Sequence, residues 1–221
     1  MPARSTLPAR SVLPLSAATA LLLAAPLLTG CGNDSHTGAA AVWDSQRISM
    51  DTLESRVTEV RNAQRSSPQS ESLMKDSGQL GRGTLYGLLH ARVVERAAKD
   101  NGVTASRRDV QSARAMYEQG EGGPKAFRAM LLQQGIAPAR IDDAVRTRVL
   151  QNKLAAKWKI KAQDQQGMEK LNQRLARVSA KMKINVNPRY GRWDSKQLAL
   201  GASKEPWVKD VSTSRQPQGQ A

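Results

Sequence analysis

Between residues 49 and 183 the apolar positions recur in steps of three and four, as on amphipathic helices, and short apolar runs flank this stretch at both ends. At the front, Ala40-Ala41-Val42-Trp43, Asp44-Ser45 and Gln46-Arg47-Ile48 predict a small hairpin about a polar turn. Ser49 suits the N-cap of a helix carrying Leu53, Val57 and Val60 on one face. The pattern lapses from Arg61 to Thr84, where Ser, Gln, charge, Pro68, Gly78, Gly81 and Gly83 predict a mobile loop. It resumes from about Thr84 to Asp100 with Leu85, Leu88, Leu89, Val93, Val94 and Ala97, and Asn101-Gly102 marks the stop. A helix over about 106–118 follows, then a short one after Pro124 that holds Phe127, Met130 and Leu131 and ends at Gly135. Ala137-Pro138 opens a long helix through about Lys161, with Ile141, Val145, Val149, Leu150, Leu154 and Trp158 on one side; about 24 residues at 1.5 Å each reach about 36 Å. A last helix over about 166–183 spaces Met168, Leu171, Leu175, Val178 and Met182 as a single seam. Ile184-Asn185-Val186-Asn187 is a short strand closed by Pro188. Short apolar strands at both ends of a helical run need partners for their backbone groups, so the two ends are expected to pair. The prediction is a mainly α fold with a small two- or three-stranded sheet joining the N- and C-terminal segments.

One apolar run does not fit this pattern. It extends from about Val12 to Leu28, behind Arg4 and Arg10, and ends in Leu28-Thr29-Gly30-Cys31. A basic start, an apolar middle and small residues at the end are the parts of a secretory signal peptide, and the last four residues have the form of a lipobox. Cys31 is the chain's only cysteine, so no disulfide framework accounts for it. Lipidation of its thiol by diacylglycerol, with acyl chains such as palmitate, does account for it. A plain signal peptide with an incidental cysteine and an uncleaved anchor are the other readings of the same residues. The expected organisation is a signal peptide over 1–30, a tether over 31–39, a helical domain over 40–194 and a disordered tail over 195–221. The expected location is extracytoplasmic, held to the cell membrane by the lipidated Cys31.

Charge and chemistry narrow the function further. The chain carries 34 Lys and Arg against 19 Asp and Glu, a formal net charge of +15. The basic residues are spread along every segment and aromatic residues are only 4%, which disfavours nucleic acid and leaves anionic envelope polymers, lipid headgroups or acidic unfolded chains as what such a surface attracts, or a solvated basic surface with no specific partner. Of the two histidines, His36 falls in the tether and His90 beside an apolar stripe. No group of ligand-type residues has metal spacing. Asp142 and Asp143 are adjacent in a first helical turn, where they complement the helix dipole instead of facing each other. Gly120-Glu121-Gly122-Gly123-Pro124 lacks the Gly-Lys-Ser/Thr ending of a phosphate loop. No catalytic residue and no cofactor is implied.

The order of elements resembles the N-terminal, SurA-like domain of the SurA/PrsA/trigger-factor class of extracytoplasmic folding factors. The strings that carry the resemblance are Val42-Trp43-Asp44-Ser45-Gln46-Arg47-Ile48-Ser49, similar to the family's VNGxxIS, and the Leu85–Val103 helix with its Asn-Gly stop. Val103-Thr104-Ala105-Ser106-Arg107-Arg108-Asp109-Val110 and the long helix begun by Gly135-Ile136-Ala137-Pro138 add to it. The segment from Ile184 to Trp193 resembles a VNPRYGxW ending of lipoproteins in this class. Complete members carry a parvulin-type prolyl isomerase domain of roughly 100 residues, and the interval from Lys161 to Lys183 is too short for one. The resemblance therefore implies a membrane-anchored chaperone-like lipoprotein that binds unfolded or newly exported polypeptides without isomerase activity. The alternative is a structural or adaptor envelope lipoprotein that recruits a specific protein or an anionic wall polymer through its basic surface. Phe127, Met130, Leu131, Leu150 and Trp158 are the expected client-binding side chains.

Overall fold

The computed structural model describes residues 37–75 and 79–201, all within the second of two units, His36–Ala221. The lipobox and Cys31 lie outside the described residues. Two strands, β1 (Ala39–Trp43) and β2 (Gln46–Ser49), lead into helix α1 (Met50–Arg65) and the short α2 (Ser70–Lys75). Then come α3 (Leu80–Asp100), α4 (Arg107–Gly120), α5 (Pro124–Gln133), a 3-10 turn at Pro138–Arg140, α6 (Ile141–Lys157) and α7 (Gln165–Met182). The chain closes with β3 (Asn185–Val186), a 3-10 turn at Pro188–Tyr190, and a hairpin of β4 (Arg192–Asp194) and β5 (Ala199–Gly201).

The two ends do pair. β1 is the central strand of a three-stranded sheet in the order β2-β1-β3, with Ala41 opposite Val186 and Val42 opposite Asn185 in antiparallel register. Asp44 makes the β1–β2 turn at φ 48°, a left-handed conformation that aspartate tolerates better than most residues, and Arg96 of α3 pairs with its carboxylate at 3.1 Å. Ser49 caps α1 as its sequence predicts, accepting from the Thr52 N–H.

α3 is the axis of the core. Its Leu85, Leu89, Val93, Val94 and Ala97 are buried, and it packs against α1, α6 and α7. Ile141, Val145 and Leu154 of α6 and Leu171, Leu175 and Met182 of α7 complete the cluster. The buried Trp193 of β4 donates its indole N–H to Ser179 Oγ of α7 at 2.8 Å, tying the last hairpin to the last helix. Val60, Leu132 and Ala137 form a second, smaller cluster with Ala63, Leu73 and Leu80 against it.

Four boundaries differ from the sequence expectation, each for a local reason. α1 continues to Arg65, because Val60 and Gln64 keep one face buried until Ser66-Ser67-Pro68 ends the helix, and α2 and the start of α3 occupy much of the expected loop. The helix expected through Lys161 is shorter. It begins as a 3-10 turn and stops at Trp158, where Lys159 turns left-handed at φ 55° and the Ile160 N–H returns to the Ala155 carbonyl. The expected tether reaches into the sheet, since β1 begins at Ala39. At the other end the fold runs past Asp194, where disorder is expected. The Asp194 carboxylate accepts the Lys196 and Gln197 N–H groups in a tight turn, Leu198 is buried, and β5 pairs back on β4.

The start of α4 sets an acid sensitivity. Ser106 and Asp109 form a reciprocal capping box, and Lys153 of α6 donates to Asp109 Oδ2 at 2.7 Å. The Lys153 hydrogen bond first, then those from the Ser106 N–H and hydroxyl, hold the Asp109 carboxyl well below the usual carboxylate range. Burial lowers the pKa of His90 in α3. Both groups bind protons less readily folded than unfolded, so both contribute stability at neutral pH that is lost as the pH falls. Thermal melts should therefore decline first below about pH 6.5 through His90 and again below about pH 4 through Asp109. Asp109→Asn should lower the neutral-pH melting temperature and flatten the lower limb of that profile.

Candidate binding groove

The five side chains expected to bind clients do not form a surface. Phe127, Leu131 and Leu150 are buried in the main core, Phe127 with its ring 6.2 Å from that of Tyr117. Met130 and Trp158 are half-buried against that core. Gln134 Nε2 lies 2.9 Å from Met130 Sδ, Trp158 donates to Asn101 Oδ1 at 3.0 Å, and the Arg174 guanidinium covers the Trp158 ring. In the folded protein these residues hold the structure together. Among the described residues, the large apolar side chains that stand out to solvent are others: Met74, Tyr86 and Met116.

Tyr86 leads to the groove. A cleft of about 360 Å³ runs between α1, α3, the α5–α6 connection and α6. Its floor is the face of α3 that carries Gly83, Gly87 and Ala91, one helical turn apart, and its walls include Val60, Leu88, Ile136, Ala137 and Ala144. Tyr86 stands at the margin, its ring 6.2 Å from Trp193 of β4 and 5.9 Å from His90. The other rim is charged yet internally neutralised. Arg140 grips Glu59 with two 2.7 Å bonds, Arg56 reaches the same carboxylate at 3.4 Å, and Asp143 lies 3.7 Å from Arg140. Two guanidinium groups meet two carboxylates, so apolar surface and shape define what fits here.

A second cavity of about 440 Å³ adjoins the first and shares Gly83, Gln134 and Gly135 with it. Two residues of these walls each bury a polar atom that has no hydrogen-bond partner among the described residues, Thr84 its Oγ1 beside the first and Gln64 its Oε1 beside the second. An unmet buried acceptor costs about 1–3 kcal/mol. The sequence carried one faint signal of the groove, glycines four apart inside an otherwise strongly apolar helix. The cavity-lining Gln64, Thr84 and Gln134 carried none.

Among the described residues no group of His, Cys, Asp and Glu could hold a metal ion, and no helix is long and apolar enough to cross a membrane. The helical domain, with β1 and β3 in one sheet, stands beside an open apolar groove. Residues 10–155 match the SurA-like N-terminal domain family, and the chain belongs to it. The match ends before α7 and the closing strands. No curated protein and no solved structure matches the chain.

Proposed function

We propose that this protein is an extracytoplasmic chaperone-like lipoprotein, anchored through Cys31, that binds apolar segments of unfolded or newly exported polypeptides in the α1–α3–α6 groove. The observation that carries the reading is the pair Gly83 and Gly87. Each sits inside a helix, where glycine is about 0.5–1 kcal/mol less favourable than alanine. Neither needs glycine's backbone freedom, since neither has a positive φ, and a Cβ at either would meet nothing within 4 Å. The fold therefore gives no reason for them. What they do is keep the floor of the groove low and bare, which lets another chain approach the helix closely.

The same geometry supplies the test. A leucine at position 87 clashes with no atom within reach of its Cβ, so Gly87→Leu should fold at least as stably as the parent while filling the groove. Its affinity for fluorescently labelled unfolded clients should fall at least about tenfold, or about 1.4 kcal/mol. Binding should also change little with salt, because the rim charges are already paired. Unchanged client binding by a folded Gly87→Leu protein would refute the groove.

No isomerase activity is part of this proposal. The interval in which complete members of the class carry the parvulin domain is occupied by α7, and His90 is partly buried against Tyr86. The adaptor reading has one observation in its favour. Lys170, Arg174, Arg177 and Lys181 line up on the exposed face of α7, and none is in an ion pair among the described residues. Capture of an anionic polymer that is abolished by moderate salt and indifferent to Gly87→Leu would favour it.

A further inference from the structure

Positive charge is settled unevenly along this chain. Every ion pair among the described residues joins side chains between Asp44 and Lys153, and none involves a residue beyond Lys153. From Lys157 to Lys196 the chain carries 11 Lys and Arg against three acids, and all 11 basic side chains are exposed. The three acids are already engaged: Asp164 caps α7 through the Gly167 N–H, Glu169 accepts from Gln173 Nε2, and Asp194 holds the turn before β5. Lys170, Arg174, Arg177 and Lys181 follow one another by four, three and four residues, which sets them in one line along α7. At 1.5 Å per residue that line is about 16 Å long. No large apolar side chain of α7 is exposed, so the helix offers this face as charge.

We propose that this face of α7 docks on the anionic headgroups of a phospholipid bilayer and so sets how the tethered domain lies on the membrane. The proposal rests on Cys31 carrying the lipid anchor. The tether decides for a bilayer over a soluble anionic polymer. β1 begins at Ala39, eight residues after Cys31, so the chain between them spans at most about 28 Å. The C-terminal end of α7 lies where that tether enters the fold. Asn187, five residues past Met182, donates its backbone N–H to the Ala40 carbonyl at 2.9 Å and its side-chain nitrogen to the Ala39 carbonyl at 3.3 Å. An anchored domain therefore keeps α7 close to the headgroups, whereas a polymer must be captured from solution. Each Lys or Arg brought to an anionic leaflet strengthens binding about fivefold. Charge alone gives a reversible contact, so the lipid retains the protein and α7 orients it. α7 contributes no residue to the groove's lining, so the docking face and the client site are separate.

The test uses the soluble chain begun at Gly32, which has no anchor and keeps the whole unit His36–Ala221 in which every described element lies. Fluorescently labelled protein is titrated at physiological ionic strength with vesicles of phosphatidylcholine alone, or of phosphatidylcholine with phosphatidylglycerol. It should bind the anionic vesicles, ignore the neutral ones and come off as salt is added. The triple variant Lys170→Gln, Arg177→Gln, Lys181→Gln should bind the anionic vesicles about a hundredfold more weakly, at an unchanged melting temperature. Arg61→Gln, Arg108→Gln and Lys125→Gln together remove the same charge from other exposed positions. That control should weaken binding by no more than about threefold, because salt screens charges away from the contact. A parent chain that ignores the anionic vesicles overturns the proposal. So does equal loss in the two triple variants, which would make net charge responsible, or capture of soluble poly(glycerol phosphate) without binding to vesicles. None of these outcomes depends on Cys31, which the soluble chain lacks. If full-length protein sediments with membranes while the soluble chain ignores anionic vesicles, the anchor stands and the docking face alone is refuted.

Discussion

A chain ended after Lys183 is expected to lose cooperative folding, although most of its helical sequence remains. The deleted segment contributes Ile184, Val186, Trp193 and Leu198 to the buried core. Full burial of a large apolar side chain is worth about 1.5–3 kcal/mol, so four together rival the whole stability of a typical domain, about 5–15 kcal/mol. The deletion also strips β1 of its β3 partner and leaves Ser179 without the Trp193 indole N–H it accepts. Circular dichroism should show retained far-ultraviolet helix signal with a broad, shallow melt. A chain ended after Gly201 should melt sharply and serves as the control. A sharp melt at the parent temperature for the shorter chain would mean that the closing segment is an appendage.

The second large effect concerns Cys31. Two acyl chains on this thiol would hold the protein on a membrane, since each buried CH₂ contributes about 0.8 kcal/mol. Cys31→Ser should therefore convert a membrane-sedimenting protein into an unprocessed precursor or a released one. Fractionation followed by mass determination of the N-terminal fragment reads the outcome directly. A mutant processed and retained like the parent would rule out the lipobox.

What was legible in the sequence follows from what side chains signal. Leu85, Leu89, Val93 and Val94 announce α3 because burial requires them on one face, and the apolar ends of the domain announce the sheet because strands need partners. The groove was not legible in the same way, since it consists of what is missing. Gly83 and Gly87 leave no apolar mark: Gly83 falls in the stretch read as a loop and Gly87 inside the expected helix, which in fact runs unbroken from Leu80. Apolar spacing also cannot tell an interior face from a docking face. Phe127, Leu131 and Leu150 were expected to meet clients, and they meet the core. The first residues of the expected tail, 195–201, were misread for a related reason: Leu198 is the one fully buried residue there, held by the turn at Asp194, and so short a run makes no period; the rest of that tail lies outside the described residues.

The central position of β1 has a consequence in time. Asn187 reaches the Ala39 carbonyl across 148 positions of sequence, and the β1 edge that faces β3 has no other partner among the described strands. A chain that emerges from its N-terminus exposes this edge from the outset and covers it only when β3 arrives, after all seven helices. Closing so long a loop is slow compared with forming the helices between. Throughout that interval an unpaired strand edge is open to pairing with a neighbouring chain. Until β3 is made, the domain itself presents the exposed backbone edge of an unfinished chain.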